Sequence, residues 1–431
     1  VTRPGWWPSW RRRPTLEAAV AWSVELLAES DRALLLRLWP FEGGFPLSAL
    51  DDDLERLSAL VIRSVVVADT TLSPARYRLL EIVRAYCPKH DPDPAASRAA
   101  HSAWVRALVE HQARHLGREH SLHAVRTLNR ELANLRAAMR YDLEDAPAQA
   151  LRTAGWLAWF WHRRGHAGFA APLLRAALDA APDAPVADRA RVLLCLATLF
   201  TQTGDRAAVW PAHRAAVELL TPATDRESRL LLAQAAYYAA LFLTSEGSFD
   251  AAVASARDSV DRARAIGEDW FVPAASVALG AALAGAGQVA QGRAVLVGAA
   301  GDAAALKQDW TVALSGLHQA RSLLIGEAEP RRALEVLRPA LACFTAEDDV
   351  TNTLAGLRIG ALALALEGRP REAALLLSGI DRCARRRGLG PVEPGLSPDL
   401  DAALSGVDRA EAAGAGDRLD ERQLRALLDP R

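Results

Sequence analysis

The residues in this sequence that could do chemistry are few, and their spacing argues against most of it. His111 and His115 stand four apart, with His120 and His123 nearby, which would set two imidazoles on one helix face as a metal requires. Gln112 follows His111, so no HExxH motif is present, and a solvated helix face explains the cluster as well. His162 and His166 flank Gly165 at an expected helix end, where regular i, i+4 geometry is lost. Cys87, Cys195, Cys343 and Cys383 form no C-x-x-C pair, so neither a zinc knuckle nor a disulfide framework is expected, and a reducing compartment fits. A phosphate-cradling loop needs Gly before its lysine. The two lysines, Lys89 and Lys307, follow Pro88 and Leu306. ATP binding is therefore not expected. No Ser-His-Asp, Cys-His or carboxylate pair assembles by spacing, so the chain reads as non-catalytic, with no cofactor and no metal.

Chemistry absent, the elements carry the reading. The 431 residues exceed one ordinary core and suit two or three domains or a solenoid. Ala and Leu dominate an apolar share of 51%, and β-branched runs are rare, so the fold class expected is all-α. Basic and acidic residues number 51 and 52, against a chain whose main task is coating nucleic acid or an anionic membrane. The stretch from Trp270 to Gly292 has no charge, yet its Gly, Pro273, Gln288 and Gln291 suit tight helix packing better than a hydrocarbon core. No export signal is read at the N-terminus, and a cytoplasmic location is expected. Trp6, Trp7 and Trp10 beside Arg11–Arg13 could stack on a single strand, but a linker explains them too.

From about residue 150 a turn residue is followed by a small residue five positions on, an apolar one at nine and a small one at twelve. The copies are Gly165, Ala170, Leu174, Ala177; Gly204, Val209, His213, Ala216; Gly247, Ala252, Ala256, Ser259; and Gly287, Gly292, Leu296, Ala299. Weaker ones follow at Ala328, Ala333, Leu337, Ala340 and at Gly368, Ala373, Leu377, Ile380. A second marker, Asp269-Trp270, Asp309-Trp310 and Asp349-Val350, keeps the same register of about 40 residues. Each unit is a helix hairpin that cannot bury its apolar face alone, so neighbours must stack into a superhelix. The alternative is an irregular bundle whose Ala-rich helices match by chance. Six copies in register favour a solenoid of the tetratricopeptide type.

Residues 15–90 read differently. Leu16–Leu27 and Ser30–Trp39 are expected to be helical, with Ser30 as a cap, and Gly43-Gly44 breaks the chain. A helix to about Leu60 precedes two strands, Val65–Val67 and Tyr77–Leu79, around a turn at Thr70–Pro74. Helices followed by a β-hairpin are the winged-helix order. Asp51-Asp52-Asp53 opens the helix that would read DNA, where three carboxylates repel phosphate, so nucleic acid is not an expected partner.

The runs Pro14–Ser23, Leu34–Phe45, Tyr77–Tyr86, Asn129–Ala138 and Trp159–His166 resemble the region after the nucleotide-binding domain of actinobacterial STAND ATPase regulators, the AfsR/SARP-like and large LuxR-type proteins. That resemblance implies a winged helix beside an ATPase module, present in cis or in trans, and a repeat array that senses a ligand or partner. The nucleotide-binding domain and a LuxR-type DNA-binding domain are missing from the pattern. The chain thus resembles the rear half of such a regulator, a fragment or a separate reading frame with Val1 as a non-standard start.

The expected organisation is a linker over 1–14, a winged-helix-like module over 15–90, a helical connector over 91–150, tetratricopeptide-like repeats over 151–390 and a C-terminal helical cap over 391–431. In tetratricopeptide arrays the first helix of each hairpin lines the concave groove. Positions three, six and ten before each turn then give Trp159, His162, Thr198, Thr201, Tyr237, Thr244, His318 and Arg358 as the partner-binding lining. A mixed aromatic and polar lining suits a protein, a peptide or a small-molecule effector, unless the chain's own tail fills the groove. The expected function is a non-catalytic sensor and scaffold module of a STAND-type signalling or transcriptional regulator. The alternative is a DNA-binding transcription factor acting through its winged helix.

Overall fold

The computed structural model describes residues 16–51, 53–326, 328–390, 402, 404, 416 and 418–429. The expected linker over 1–14, with its Trp6, Trp7, Trp10 and Arg11–Arg13, lies outside them, as does Asp52. The chain divides into two compact units, residues 1–108 with 128–146, and residues 109–127 with 147–431.

The first unit begins with α1 (Leu16–Glu25) and α2 (Glu29–Leu36). Ala28, not Ser30, stands at the N-cap of α2, without a side-chain cap. A short strand β1 (Phe45–Pro46) and a 3-10 turn at Leu47–Leu50 lead into α3 (Leu54–Ile62), then β2 (Val66–Asp69) and β3 (Arg76–Leu79). The sheet is antiparallel in the order β1-β3-β2, with Phe45 opposite Tyr77 and Val66 opposite Leu79. The hairpin follows the sequence expectation, whereas β1 was not expected. Two residues after Gly44, the second of them a proline, carry no strand signal of their own, and only pairing to β3 makes them a strand. Asp53 caps α3 through the Arg56 amide, which places Leu57 and Leu60 in the core with Leu35, Leu38 and Phe45. Of the carboxylates expected to open this helix, Asp51 instead takes a left-handed conformation at the end of the 3-10 turn.

Helices α4 (Glu81–His90), α5 (Pro94–Ala113), α6 (Ser121–Arg130) and α7 (Leu132–Asp145) follow, with α5 and α6 each passing from one unit to the other. Residues from α7 and the turn before it grip the winged-helix turn. Asn134 donates to the Gly44 carbonyl at 2.8 Å, and Arg76, paired with Glu131, donates to the carbonyls of Gly43 and Gly44 at 3.1 and 3.0 Å. Gly44 has φ +74°, and a Cβ there would meet the Tyr77 carbonyl oxygen at 2.6 Å, so only glycine fits.

The second unit is a tetratricopeptide-like solenoid of helix hairpins. Its inner helices are α8 (Pro147–Trp156) continued by α9 (Ala158–Arg163), then α11 (Val186–Thr203), α13 (Arg226–Ser245), α15 (Val272–Gly285), α17 (Asp309–Gly326) and α19 (Val350–Leu366). Their partners are α10 (Ala167–Ala180), α12 (Arg206–Leu220), α14 (Phe249–Ala265), α16 (Val289–Ala305), α18 (Pro330–Ala346) and α20 (Pro370–Arg386). All six turn residues have positive φ: Gly165, Gly204, Gly247, Gly287, Ala328 and Gly368. The residues five and twelve beyond each turn are buried, as the repeat requires. Between α15 and α16 the backbones come close enough that a Cβ on Gly292 would lie 2.6 Å from the Gly280 oxygen and 2.7 Å from the Ala284 nitrogen. The uncharged stretch from Trp270 is thus two packed helices, and among the described residues no helix is long and apolar enough to cross a membrane.

Of the C-terminal segment, Leu404, Leu424 and Leu428 join the core of Leu337 and Ile380. A short helix α21 (Glu421–Ala426) opens with an Asp420–Gln423 capping box, and Arg338 donates to the Leu428 carbonyl at 3.0 and 2.8 Å. The helix expected near Leu400 lies outside the described residues.

Candidate functional site

The inner helices of the second unit surround a cavity of about 320 Å³. Trp159, His162 and Arg163 reach it from α9, Thr198, Thr201 and Gln202 from α11, and Tyr237, Tyr238, Phe242 and Thr244 from α13. Trp310, Leu314 and His318 come from α17, and Thr351 and Asn352 from α19. Seven of the eight groove residues expected from the repeat register are therefore brought together: Trp159, His162, Thr198, Thr201, Tyr237, Thr244 and His318. Arg358 is not among the lining residues. The cavity meets α19 only along Thr351, Asn352 and Ala355, and Arg358 comes nearly a turn later, 3.9 Å from the Asp381 carboxylate.

The register did not single out Arg163, Gln202, Tyr238 or Trp310. Trp310 belongs to the second 40-residue marker, the Asp-Trp pair, which is the signal that could have found it. Arg163 and Gln202 close the array on itself, and no periodic pattern encodes a contact between first and last repeats. Gln202 Nε2 donates to the His162 carbonyl at 2.6 Å and to Thr351 Oγ1 at 2.8 Å, while the Thr351 hydroxyl donates to that carbonyl at 2.9 Å. The Gly390 amide, just past α20, donates to the Gln202 carbonyl at 2.5 Å.

The Arg163–Glu347 ion pair, 2.9 Å apart, lies beside this junction with both side chains 4% exposed. The Arg163 guanidinium sits over the Trp310 ring at 3.7 Å and the Trp159 ring at 4.7 Å, and its Nε and Nη2 have no hydrogen-bond acceptor. The ring faces take the place of those acceptors. Burial raises the Glu347 carboxyl and lowers the Arg163 guanidinium, and the attraction between the two opposes both shifts. Trp310 donates from Nε1 to Asp349 at 2.7 Å, and Asp349 also caps α19.

Burial holds both cavity histidines neutral, His162 at about 4 and His318 at about 3, the latter also through repulsion from Arg321. Gln202 Nε2 lies 3.1 Å from His162 Nδ1. Burial likewise pushes the Tyr237 hydroxyl up to about 12.

Residues 113–121 form a strap along the starts of α15, α17 and α19. The Arg118 guanidinium sits 3.8 Å over the Trp270 ring, Glu119 pairs with Lys307 at 2.8 Å, and Ser121 donates to Glu347 at 3.2 Å. A Cβ on Gly117 would strike the Trp159 ring at 2.8 Å. His111, His115 and His120 lie in or beside this strap with ring centroids 5.6 and 5.9 Å apart. Among the described residues no group of three His, Cys, Asp or Glu is placed to hold a metal.

The chain matches no protein-family profile. It is 36% identical over 170 residues to proteins of Mycobacterium tuberculosis and Mycobacterium bovis named HTH-type transcriptional regulators, covering 36% of this chain and 19% of theirs. An uncharacterized protein of Mycobacterium tuberculosis is 42% identical over 88 residues, covering 18% of this chain and 22% of its own. The matched stretches thus span about a fifth of those relatives' length. Among solved structures, a STAND protein with a tetratricopeptide repeat sensor from Pyrococcus horikoshii aligns over 94% of this chain and 65% of its own, with 14% identity and a TM-score of 0.47.

Proposed function

We propose that this chain is the sensor and scaffold part of a STAND-type transcriptional regulator, and that its array takes an effector in the central cavity. The observation that carries this reading is that one cavity touches an inner helix from every hairpin as well as the junction of the first with the last. An occupant there acts on all the hairpins together, which is what a sensor needs to pass on its state. The partial similarity to HTH-type regulators supports a regulatory role in place of catalysis. A nucleotide-binding module, in cis or in trans, is the partner such a sensor would govern.

The second reading, DNA binding through the winged helix, has the names of those relatives on its side. Against it, the exposed Arg56 at the start of α3 is paired with Asp53 at 3.1 Å and stands beside the exposed Glu55, so this end of the helix offers phosphate no net positive charge. Hydrogen exchange of the purified chain with and without extract of the source cytosol tests the sensor reading. Extract is expected to slow exchange in α11, α13 and α17. Unchanged exchange there, with a retarded band on random duplex at low salt, would favour the DNA-binding reading instead.

A further inference from the structure

Four of the hydroxyls at the cavity share one property. Thr198 donates to the Cys195 carbonyl at 2.7 Å, Thr201 to Thr198 at 2.6 Å, Thr244 to Ala240 at 2.7 Å and Ser245 to Phe242 at 2.7 Å. Each hydrogen is used within its own helix, so these groups offer an occupant only lone pairs. They stand among the rings of Trp159, Tyr237, Tyr238 and Phe242. The cavity volume lies in the range of sites for small ligands. The array also closes through Gln202 and Thr351, and the strap crosses the end where α15, α17 and α19 begin.

Resting on the reading of the array as an effector sensor, we propose that its occupant is a small, ring-bearing molecule that donates hydrogen bonds, of the phenol or aromatic-amine class. Its ring stacks among the aromatic side chains, and its O–H or N–H meets the lone pairs of Thr198, Thr201 and Thr244. Arg206 and Arg321 also line the cavity, so a carboxylate is the competing ligand that the test must defeat.

The test titrates the full chain with 2-naphthol, 2-methoxynaphthalene and 2-naphthoate, following tryptophan fluorescence and heat. Saturable 2-naphthol binding about ten-fold tighter than that of the ether, which lacks the donor, is the expected result. In Thr201→Val/Thr244→Val, 2-naphthol should weaken about five- to ten-fold while the ether is unchanged. Equal affinity for naphthol and ether, or tighter binding of naphthoate, overturns the proposal, and these wild-type comparisons hold even if the double variant fails to fold. Exchange protection of α11 and α13 by the small-molecule filtrate of the extract, undisturbed by 2-naphthol, would overturn the ligand class while the sensor reading stands. If no fraction of the extract protects these helices, the sensor reading itself falls.

Discussion

Between α15 and α16 the repeat array packs backbone against backbone, whereas between α9 and α19 it joins through side-chain hydrogen bonds beside a buried ion pair. At the first contact Gly280 and Gly292 leave no room for a Cβ. At the second, Gln202, Thr351 and the His162 carbonyl share a tight set of donors, and Arg163 meets Glu347. Dispersion and exclusion of water hold the first, and they tolerate small shifts poorly but have no protonation state. The polar junction depends on every partner being present and correctly charged, so it is where a change of charge or of partner should be felt most.

The largest effect should come from breaking the charged side of that junction. Arg163→Leu leaves Glu347 buried without its cation and should cost about 3–5 kcal/mol in denaturant unfolding. A loss below about 1 kcal/mol would mean that the ion pair is solvated, and the contrast with the dry seam would vanish.

Next in size is pH. The folded values of His162 and His318, about 4 and about 3, lie below their ordinary 6.5, so the unfolded chain binds more protons as pH falls below that value. Stability should be full above pH 6.5 and decline toward about 4. His318→Asn should flatten the decline. A melting temperature independent of pH across that window would contradict the burial of both rings.

The seam predicts a smaller loss with no pH dependence of its own. Gly292→Leu or Ala252→Leu should overpack a closed contact and cost about 1–3 kcal/mol, while Asp258→Leu, on the exposed side of α14, should stay within about 0.5 kcal/mol. Equal tolerance at all three positions would show that the repeat register is misdrawn.

The same contrast explains what could be read before the fold was known. The seams recur every 40 residues or so, and each copy leaves a mark: a left-handed turn residue, then small residues on one face. Trp159, His162, Thr198, Thr201, Tyr237, Thr244 and His318 were placed at the cavity by counting back from those turns. Arg358 was misplaced because the count assumes that every inner helix meets the groove along the same stretch, and α19 meets it only near its start. The junction had no such mark, since Gln202 and Thr351 meet across most of the array. β1 was missed for a related reason, as its pairing with Tyr77 and Arg76 lies about thirty residues away and has no local period.

The strap is a piece of the repeat unit that the chain supplies from between two stretches of the other unit. A cut at residue 147 would yield an array without Arg118 on Trp270 or Ser121 on Glu347. Gene fusion and recombination, which join coding segments end to end, could therefore not transplant this array whole by taking only what lies downstream of the winged helix. The two units are inherited as one interleaved text, and any natural or engineered chimera that keeps the array intact must draw its breakpoint upstream of residue 109.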